Sequence, residues 1–572
     1  MLTFSQINLH KSSGASDLAG RGLEGKAQTI MLITEPYTKA GKITGMPRGT
    51  KIVFDKNLKS SLAPRAGIVA SKDLQLTAME SWCNRDCAVA LMRLQGKQTI
   101  IASVYLDIQE AVCQSWLDKL VQMATKKDYA LILGMDSNAH STLYGPVNNK
   151  RGEEIEDFVL KHQLRVENCG NVPTFEIMRG AKKVETFIDV TLTRGLPMPI
   201  AGWMVDRSYN QSDHNTIRFG ITIAESEPEI IRPWSKADWG IFASVLKEND
   251  YTIPKDMSMK KLDKLLDKVY KALNLALDRA CPQIKIIPKI RGSHWATEEH
   301  ENEKKKVGKL YKKAISTRDP MHWDEYRKAD KAFKRRCKKD KNRAWRKFKE
   351  CIQSEKEMSQ LAKMAQRTDR REINVLQKPD GGTTDPGEET VKLLTETHFP
   401  SATNVKHVTY NNRRNCPVDK IQEKYKSWIT RNKIRLALEG FEKKKSPGPD
   451  EIKPLLFEHL PDEFLDVLQL IYKSCIHLGY TPKAWKRTKA IFISKPGKES
   501  YEKPKSFRPI SLSNYLLKGL ERLVGWNMDK ALKNNPIHTK QHGFLAGKST
   551  ESAISNTVDY IERHNMLSLI HI

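Results

Sequence analysis

Three short segments of this 572-residue chain carry residue types that could hydrolyse a phosphodiester: Glu35-Pro36-Tyr37, Asp136-Ser137-Asn138-Ala139-His140 and Ser212-Asp213-His214. Together they offer a carboxylate, an Asp-x-Asn and an Asp-His pair. That reaction needs a cation on the phosphate, a base for water, and donors for the charge developing on phosphorus and on the leaving oxygen. Each segment alone has an ordinary explanation. A Glu before Pro closes a strand, Asp-x-Asn caps its own turn, and Ser-Asp-His caps a helix or turn. Apolar runs at 30–33 and 130–133 precede the first two segments, and the third sits on a polar turn before another strand. The polar groups are therefore expected at one rim of a β-sandwich.

The elements that would position them are short. Over residues 1–222, β-rich runs at 3–9, 29–33, 67–70, 88–94, 99–105, 130–133, 187–192 and 216–223 alternate with turns, and amphipathic helices are predicted at 111–124 and 153–162. This alternation predicts an α/β fold of stacked sheets with outer helices. Composition changes after the acidic stretch 225–229. Residues 297–350 hold 20 Lys plus Arg against 10 Asp plus Glu, a net of +10, with Tyr311, Trp323, Tyr326, Phe333, Trp345 and Phe348 interleaved. Two readings of this helical region stand. It is an arm that tracks a phosphate backbone, its aromatics available to bases, or a solvated helical linker whose aromatics pack its own face. Residues 379–415, rich in Gly, Thr, Asn and Pro, read as a boundary. Helices are predicted beyond it at 421–442, 458–478, 512–533 and 550–563, with a strand at 490–494.

A chain of this length exceeds one core, so two domains and a connecting region are expected. Net charge is +29 and the pI lies near 9.5. Such an excess points to a polyanionic partner, nucleic acid ahead of an anionic membrane surface. No run of about 18 apolar residues occurs, and residues 1–4 lead into a strand pattern rather than a secretory signal. An intracellular protein with no membrane partner is expected. Nine cysteines are scattered, only Cys83 and Cys87 being close, and their spacing implies neither a zinc module nor a disulfide framework.

In order along the chain, Gln6-Ile7-Asn8, Glu35-Pro36-Tyr37, Ser103-Val104-Tyr105, Asp136-Ser137-Asn138, Pro173-Thr174-Phe175, Ile188-Asp189 and Ser212-Asp213-His214 resemble the endonuclease of non-LTR (LINE-type) retrotransposon polyproteins. That endonuclease lies in the DNase I-like and apurinic/apyrimidinic endonuclease superfamily. The resemblance implies a two-sheet DNase I-like (endonuclease/exonuclease/phosphatase) sandwich over residues 1–222. It also implies roles. Glu35 would hold Mg²⁺, with Mn²⁺ as a substitute, and Asn8 would position that ion or the aspartate facing it. Asp136 would orient or deprotonate the attacking water, and Asn138 would donate to the transition state. His214, paired with Asp189, would contact the scissile phosphate, and Tyr105 would donate from the opposite side. Asp213 would support the site, and Thr174 and Ser212 would touch substrate. His10 stands where repair-type relatives carry a second carboxylate, a change compatible with the retrotransposon branch.

Residues 425–572 resemble the fingers and early palm of the reverse transcriptase of the same elements, in the style of the jockey group. The likeness rests on the segment Lys443-Lys444-Lys445-Ser446-Pro447-Gly448-Pro449-Asp450, Ile493 to Lys498, Phe507-Arg508-Pro509-Ile510, and Gln541-His542-Gly543-Phe544. It implies that Lys495 and Arg508 contact the phosphates of an incoming nucleotide. Residues 223–424 would be a basic, mostly helical connection, and 425–572 a partial α+β polymerase segment. The chain contains no Asp-Asp, so a truncated polyprotein lacking polymerase activity is expected. The expected activity is Mg²⁺-dependent nicking of DNA, leaving a 3′-hydroxyl that primes reverse transcription of the element RNA, with nuclear access. Two rivals are the same fold acting on a small phosphomonoester or phospholipid, and a nucleic-acid-binding remnant without turnover.

Overall fold

The computed structural model describes the chain outside residues 59–61, 113–114, 180–181, 224–228, 287–289, 291, 293–294, 318, 353–357, 359–372, 374, 386, 401–415, 499, 533–537, 539, 546 and 571–572. Cys113, residues 113–114 of the helix expected at 111–124, and 386 and 401–415 of the expected boundary lie outside the described residues. Two compact units divide the chain. One comprises Met1–Ile231, Lys285–Thr403 and Ser494–Arg508, the other Arg232–Ile284, Asn404–Ile493 and Pro509–Ile572.

Two strands of the first unit explain its architecture. In β2 (Thr29–Thr34) and β8 (Ala130–Asp136) every residue is buried. Near-continuous apolar runs of this kind belong to strands covered on both faces. One sheet runs in the order β13 (Ala201–Asp206), β14 (Thr216–Ile221), β1 (Leu2–Asn8), β2, β4 (Ala66–Ser71), β3 (Thr50–Val53). The second runs β9 (Arg165–Val166), β12 (Asp189–Arg194), β8, β7 (Lys97–Tyr105), β6 (Cys87–Leu94), β5 (Thr77–Ala78). A separate hairpin joins β10 (Phe175–Arg179) to β11 (Lys182–Thr186).

Phe4, Ile30, Leu32, Ile68, Ile101, Ile132 and Phe219 form the core between the sheets. The outer face of the second sheet is covered by α2 (Ser115–Lys126) and α3 (Lys150–Lys161), which bring Leu117, Leu120, Ile155 and Phe158 onto Val104, Leu131 and Leu133. On the other side, Ala15 of α1 (Ser13–Arg21) and Leu23 cover Ile7, Met31 and Ile33. Each fully buried Leu, Ile or Phe contributes about 1.5–3 kcal/mol. The result is a two-sheet α/β sandwich with outer helices, as the alternation of strands and helices predicted.

Within the same unit, α6 (Glu298–Thr317) and α7 (Pro320–Glu350) pack as a pair. Their aromatics bear on one part of the two readings of the basic region, whether the rings are free to meet bases. Tyr209 of the sandwich contacts Tyr311, Tyr326 and Phe333 with ring centroids 6.2–6.5 Å apart, and Phe333 is fully buried. Tyr209 also donates to Asp330, Arg21 pairs with Glu301, and Lys341 reaches Asp17 at 2.7 Å. The aromatics therefore pack, except Trp345 and Phe348, which stay exposed and stack on each other at 5.6 Å. A further helix, α8 (Glu388–His398), also belongs to this unit.

The second unit is helical: α4 (Trp239–Glu248), α5 (Met259–Ala280), α9 (Val418–Lys424), α10 (Arg431–Glu439), α11 (Asp462–Leu478), α12 (Tyr515–Leu532) and α13 (Thr550–Ile570). Phe242, Leu266, Leu273, Phe464, Leu468, Tyr472 and Trp485 share its core. The helix expected at 421–442 is broken at 425–430, because Thr430 leaves the helical conformation and caps α10, its hydroxyl accepting from the Lys433 amide at 3.4 Å. Among the described residues no helix is long and apolar enough to cross a membrane.

Candidate functional site

Strand register gathers the polar residues. The parallel β1–β2 pair ends with Asn8 beside Thr34, so Glu35 follows directly on the rim. The parallel β7–β8 pair ends with Tyr105 beside Asp136, and the antiparallel β8–β12 pair sets Asp189 opposite Asp136. Two cross-sheet contacts lock the halves just behind this rim. Buried Gln6 donates to the Met135 and Val190 carbonyls at 3.2 and 3.3 Å, and Ser103 donates to the Ile33 carbonyl at 2.9 Å.

Asn8 lies between two carboxylates. Its Nδ2 donates to Asp136 Oδ2 at 2.7 Å and to Glu35 Oε2 at 3.4 Å, while its Oδ1 accepts from the His10 amide at 2.7 Å. Lys11 Nζ stands 3.0 Å from Glu35 Oε1. On the far side His214 Nδ1 meets Asp189 Oδ2 at 2.8 Å, and Phe175 packs edge-on against the imidazole at 5.0 Å. Asp136, Asp189 and His214 are all buried and offer ligand atoms within 4.8 Å of one another. His10, Lys11, Glu35 and Asn138 adopt left-handed backbone conformations with φ between 42° and 52°. A non-glycine residue there stores strain of about 1 kcal/mol or more, and such residues concentrate at functional sites.

Burial and the neighbouring Asp189 carboxylate push Asp136 up to about 7. For His214, burial opposes the charged ring, but the Asp189 carboxylate outweighs it and the imidazole rises to about 9. The Tyr105 hydroxyl is raised by burial and by Glu35 and Asp136, so it stays protonated. Carboxylate oxygens of Glu35 and Asp136, both tied to Asn8 Nδ2, are of the ligand type that a hard divalent cation takes. Glu35 already holds an ammonium at that place. Asn8, its oxygen taken by His10, contributes by holding both acids.

The remaining sequence-derived residues fall into place unevenly. Asn138 Nδ2 donates to the Leu106 carbonyl at 3.0 Å, and its amide N–H to Asp136 Oδ1 at 3.3 Å. Thr174 is wholly buried and its hydroxyl accepts from the Ile188 and Asp189 amides, both at 3.1 Å. Ser212 donates to the Asn8 carbonyl at 2.7 Å and accepts from the His214 amide. Both hydroxyls are thus used to hold Asp189 and His214. Asp213 faces His10 at 3.3 Å. Lys495 Nζ donates to the Lys505 carbonyl at 2.8 Å and Arg508 is exposed; neither belongs to this cluster.

Two arginines were not legible beforehand. Arg65 pairs with Asp86 and Asp107 and lies 4.9 Å over the Tyr105 ring. Arg151 donates to the carbonyls of Leu106, Asp107, Glu110 and Ser137, which fixes the loop after Asp136. Neither has a neighbour in sequence that signals the role.

The fold and rim define an α/β two-sheet sandwich with a polar, carboxylate-rich rim. A family model described as "Endonuclease-reverse transcriptase" matches residues 99–218. The chain is 23% identical over 567 residues to the Pol polyprotein of retrotransposable element R1 from Bradysia coprophila, covering 93% of this chain and 54% of that protein. It is 38% identical over 98 residues, 17% of this chain and 11% of that protein, to the RNA-directed DNA polymerase of mobile element jockey from Drosophila melanogaster. Among solved structures, the endonuclease domain of TRAS1, a telomere-specific non-LTR retrotransposon, aligns at 26% identity, covering 39% of this chain and all of that one, with a TM-score of 0.34. Its homologues are polyproteins of non-LTR retrotransposons. The chain spans about half the length of the R1 relative.

Proposed function

We propose that this protein is a Mg²⁺-dependent endonuclease that nicks DNA and leaves a 3′-hydroxyl, which the element uses to prime reverse transcription of its RNA. The observation that carries the reading is the rim itself: Asn8 joining Asp136 to Glu35, with the Asp189–His214 pair at the second aspartate.

Asp136, poised near neutrality, accepts the proton of the attacking water. The water oxygen bonds to phosphorus as the bond from phosphorus to the 3′-oxygen breaks, and the departing oxygen takes a proton from solvent water to become the 3′-hydroxyl. His214, positively charged through Asp189, presents its Nε2–H to a phosphate oxygen, since Nδ1 is occupied. Asn138 keeps one amide hydrogen free of Leu106 for the transition state. Tyr105, its ring packed under the Arg65 guanidinium, supplies a protonated hydroxyl. Bound by Glu35 beside Asp136, Mg²⁺ would neutralise charge on the phosphate. The net charge of +29 favours a nucleic-acid substrate over a small phosphomonoester or a phospholipid.

The test is nicking of supercoiled plasmid by the full chain with Mg²⁺ or EDTA. Asp136→Ala and His214→Ala are each expected to lower the rate at least about 10²-fold. Nicking that persists in both variants, or in EDTA, overturns the assignment; salt-sensitive DNA binding without nicking leaves a binding remnant instead.

A further inference from the structure

The two faces of α7 differ in charge as well as in burial. Its inner face carries Phe333 with Tyr326, Ala329 and Cys337. Between Arg327 and Lys349 the helix has two acids, Asp330 and Asp340, and both are engaged. Asp330 meets Tyr209 and Lys334, and Asp340 meets His300 at 3.2 Å. Opposite Phe333, at steps of three and four residues, stand Arg327, Lys331, Arg335, Lys338, Arg346 and Lys349, with Asn342 filling the one uncharged place. All six cations are exposed, and none has an ion-pair partner among the described residues.

At a rise of 1.5 Å per residue the stripe extends about 33 Å, close to one turn of B-DNA at about 34 Å. Like charges held at this spacing repel one another, and a polyanion relieves that repulsion while releasing its own counterions. One end of the helix pair lies beside the rim. A cleft of ≈ 170 Å³ is bounded by Ser212 and Asp213 on one side and by Tyr311, Trp323 and Tyr326 on the other.

We infer that the outer face of α7 is a track for the phosphate backbone of duplex DNA flanking the nick. The inference rests on DNA being the substrate, and it extends the substrate surface well beyond the sandwich. Its chemistry is sequence-independent, since lysines and arginines spaced along a helix face read charge rather than base edges.

The test compares the full chain with R327Q/K331Q/R335Q/K338Q/R346Q/K349Q, measuring affinity against salt in EDTA for a duplex of about 30 base pairs, roughly three turns. The slope of log K against log salt is expected to become shallower by up to about 5, as removal of six phosphate contacts requires. Should the sixfold variant fail to fold, R327Q/K331Q/R335Q is expected to show about half that change, and R327K/R335K/R346K none. An unchanged slope overturns the track, as does a loss confined to double-stranded RNA. Nicking is read separately with Mg²⁺. A shallower slope in a chain that never nicks leaves the track standing and removes the nuclease reading, whereas nicking with an unchanged slope does the reverse.

Discussion

Asn8 is the residue on which the two carboxylates depend. With its amide replaced in Asn8→Ala, Asp136 loses its 2.7 Å donor and Glu35 its tie to the same nitrogen. Nicking is expected to fall about 10–100-fold with a raised Mg²⁺ requirement, as for other residues that orient metal-binding groups, measured in single-turnover assays across Mg²⁺ concentration. His214 gives a pH signature. Its folded value near 9 exceeds the ordinary 6.5, so the charged ring contributes stability that is fully present below about pH 6.5 and is lost as pH rises through about 9. Nicking should decline above about pH 9, and Asp189→Asn should move that limb down toward 6.5 in a pH–rate profile. An unmoved limb would assign it to another group. At this scale Glu35, Asp136 and His214 stood out in the chain itself, being residue types that could do the chemistry wherever they met. Arg65 and Arg151 were hidden because their work is to hold backbone carbonyls, acids and a ring contributed by distant segments.

At the scale of elements, strands covered on both faces were legible because their sequences are apolar throughout, as in β2 and β8. Strands β3 and β13 and the β10–β11 hairpin were not, since Thr50-Lys51, Ala201-Gly202 and Lys182-Lys183 break the pattern at sheet edges and in the isolated hairpin. The N-terminus of α3 shows how tightly an element can be tied to the site. Asn149 caps it by accepting from the Gly152 amide at 2.8 Å, and a Cβ on Gly152 would come within 1.6 Å of the His140 carbonyl. His140 follows Asp136 by four residues, so Gly152→Ala must displace that loop or the helix start. A loss of about 3 kcal/mol is expected, read by urea denaturation, together with reduced nicking. Full stability in this variant would show that the loop yields freely.

At the scale of the first unit, the basic helices α6 and α7 belong to the same compact body as the sandwich. Phe333, with Val307, Leu18 and Tyr209, is the anchor of that packing. Phe333→Ala is expected to cost about 3–5 kcal/mol locally and to expose 298–350 to limited proteolysis while the sandwich stays protected. Unaltered protection of those helices would place the anchor elsewhere, with the ion pairs to Asp17 and Arg21 as the next candidates.

By itself the sequence determined the α/β sandwich, the order of the motifs and the chemical inventory of the rim. Those depend on hydrophobic pattern and residue type, both of which are local. The tertiary structure decided which groups touch: that Asn8 bridges two acids, that Thr174 and Ser212 serve the backbone, and that four of six aromatics in the basic helices are packed. These outcomes rest on strand register and on partners 100 or more residues away, such as Tyr209 for Phe333 and Asn8 for Asp136, which no local pattern encodes.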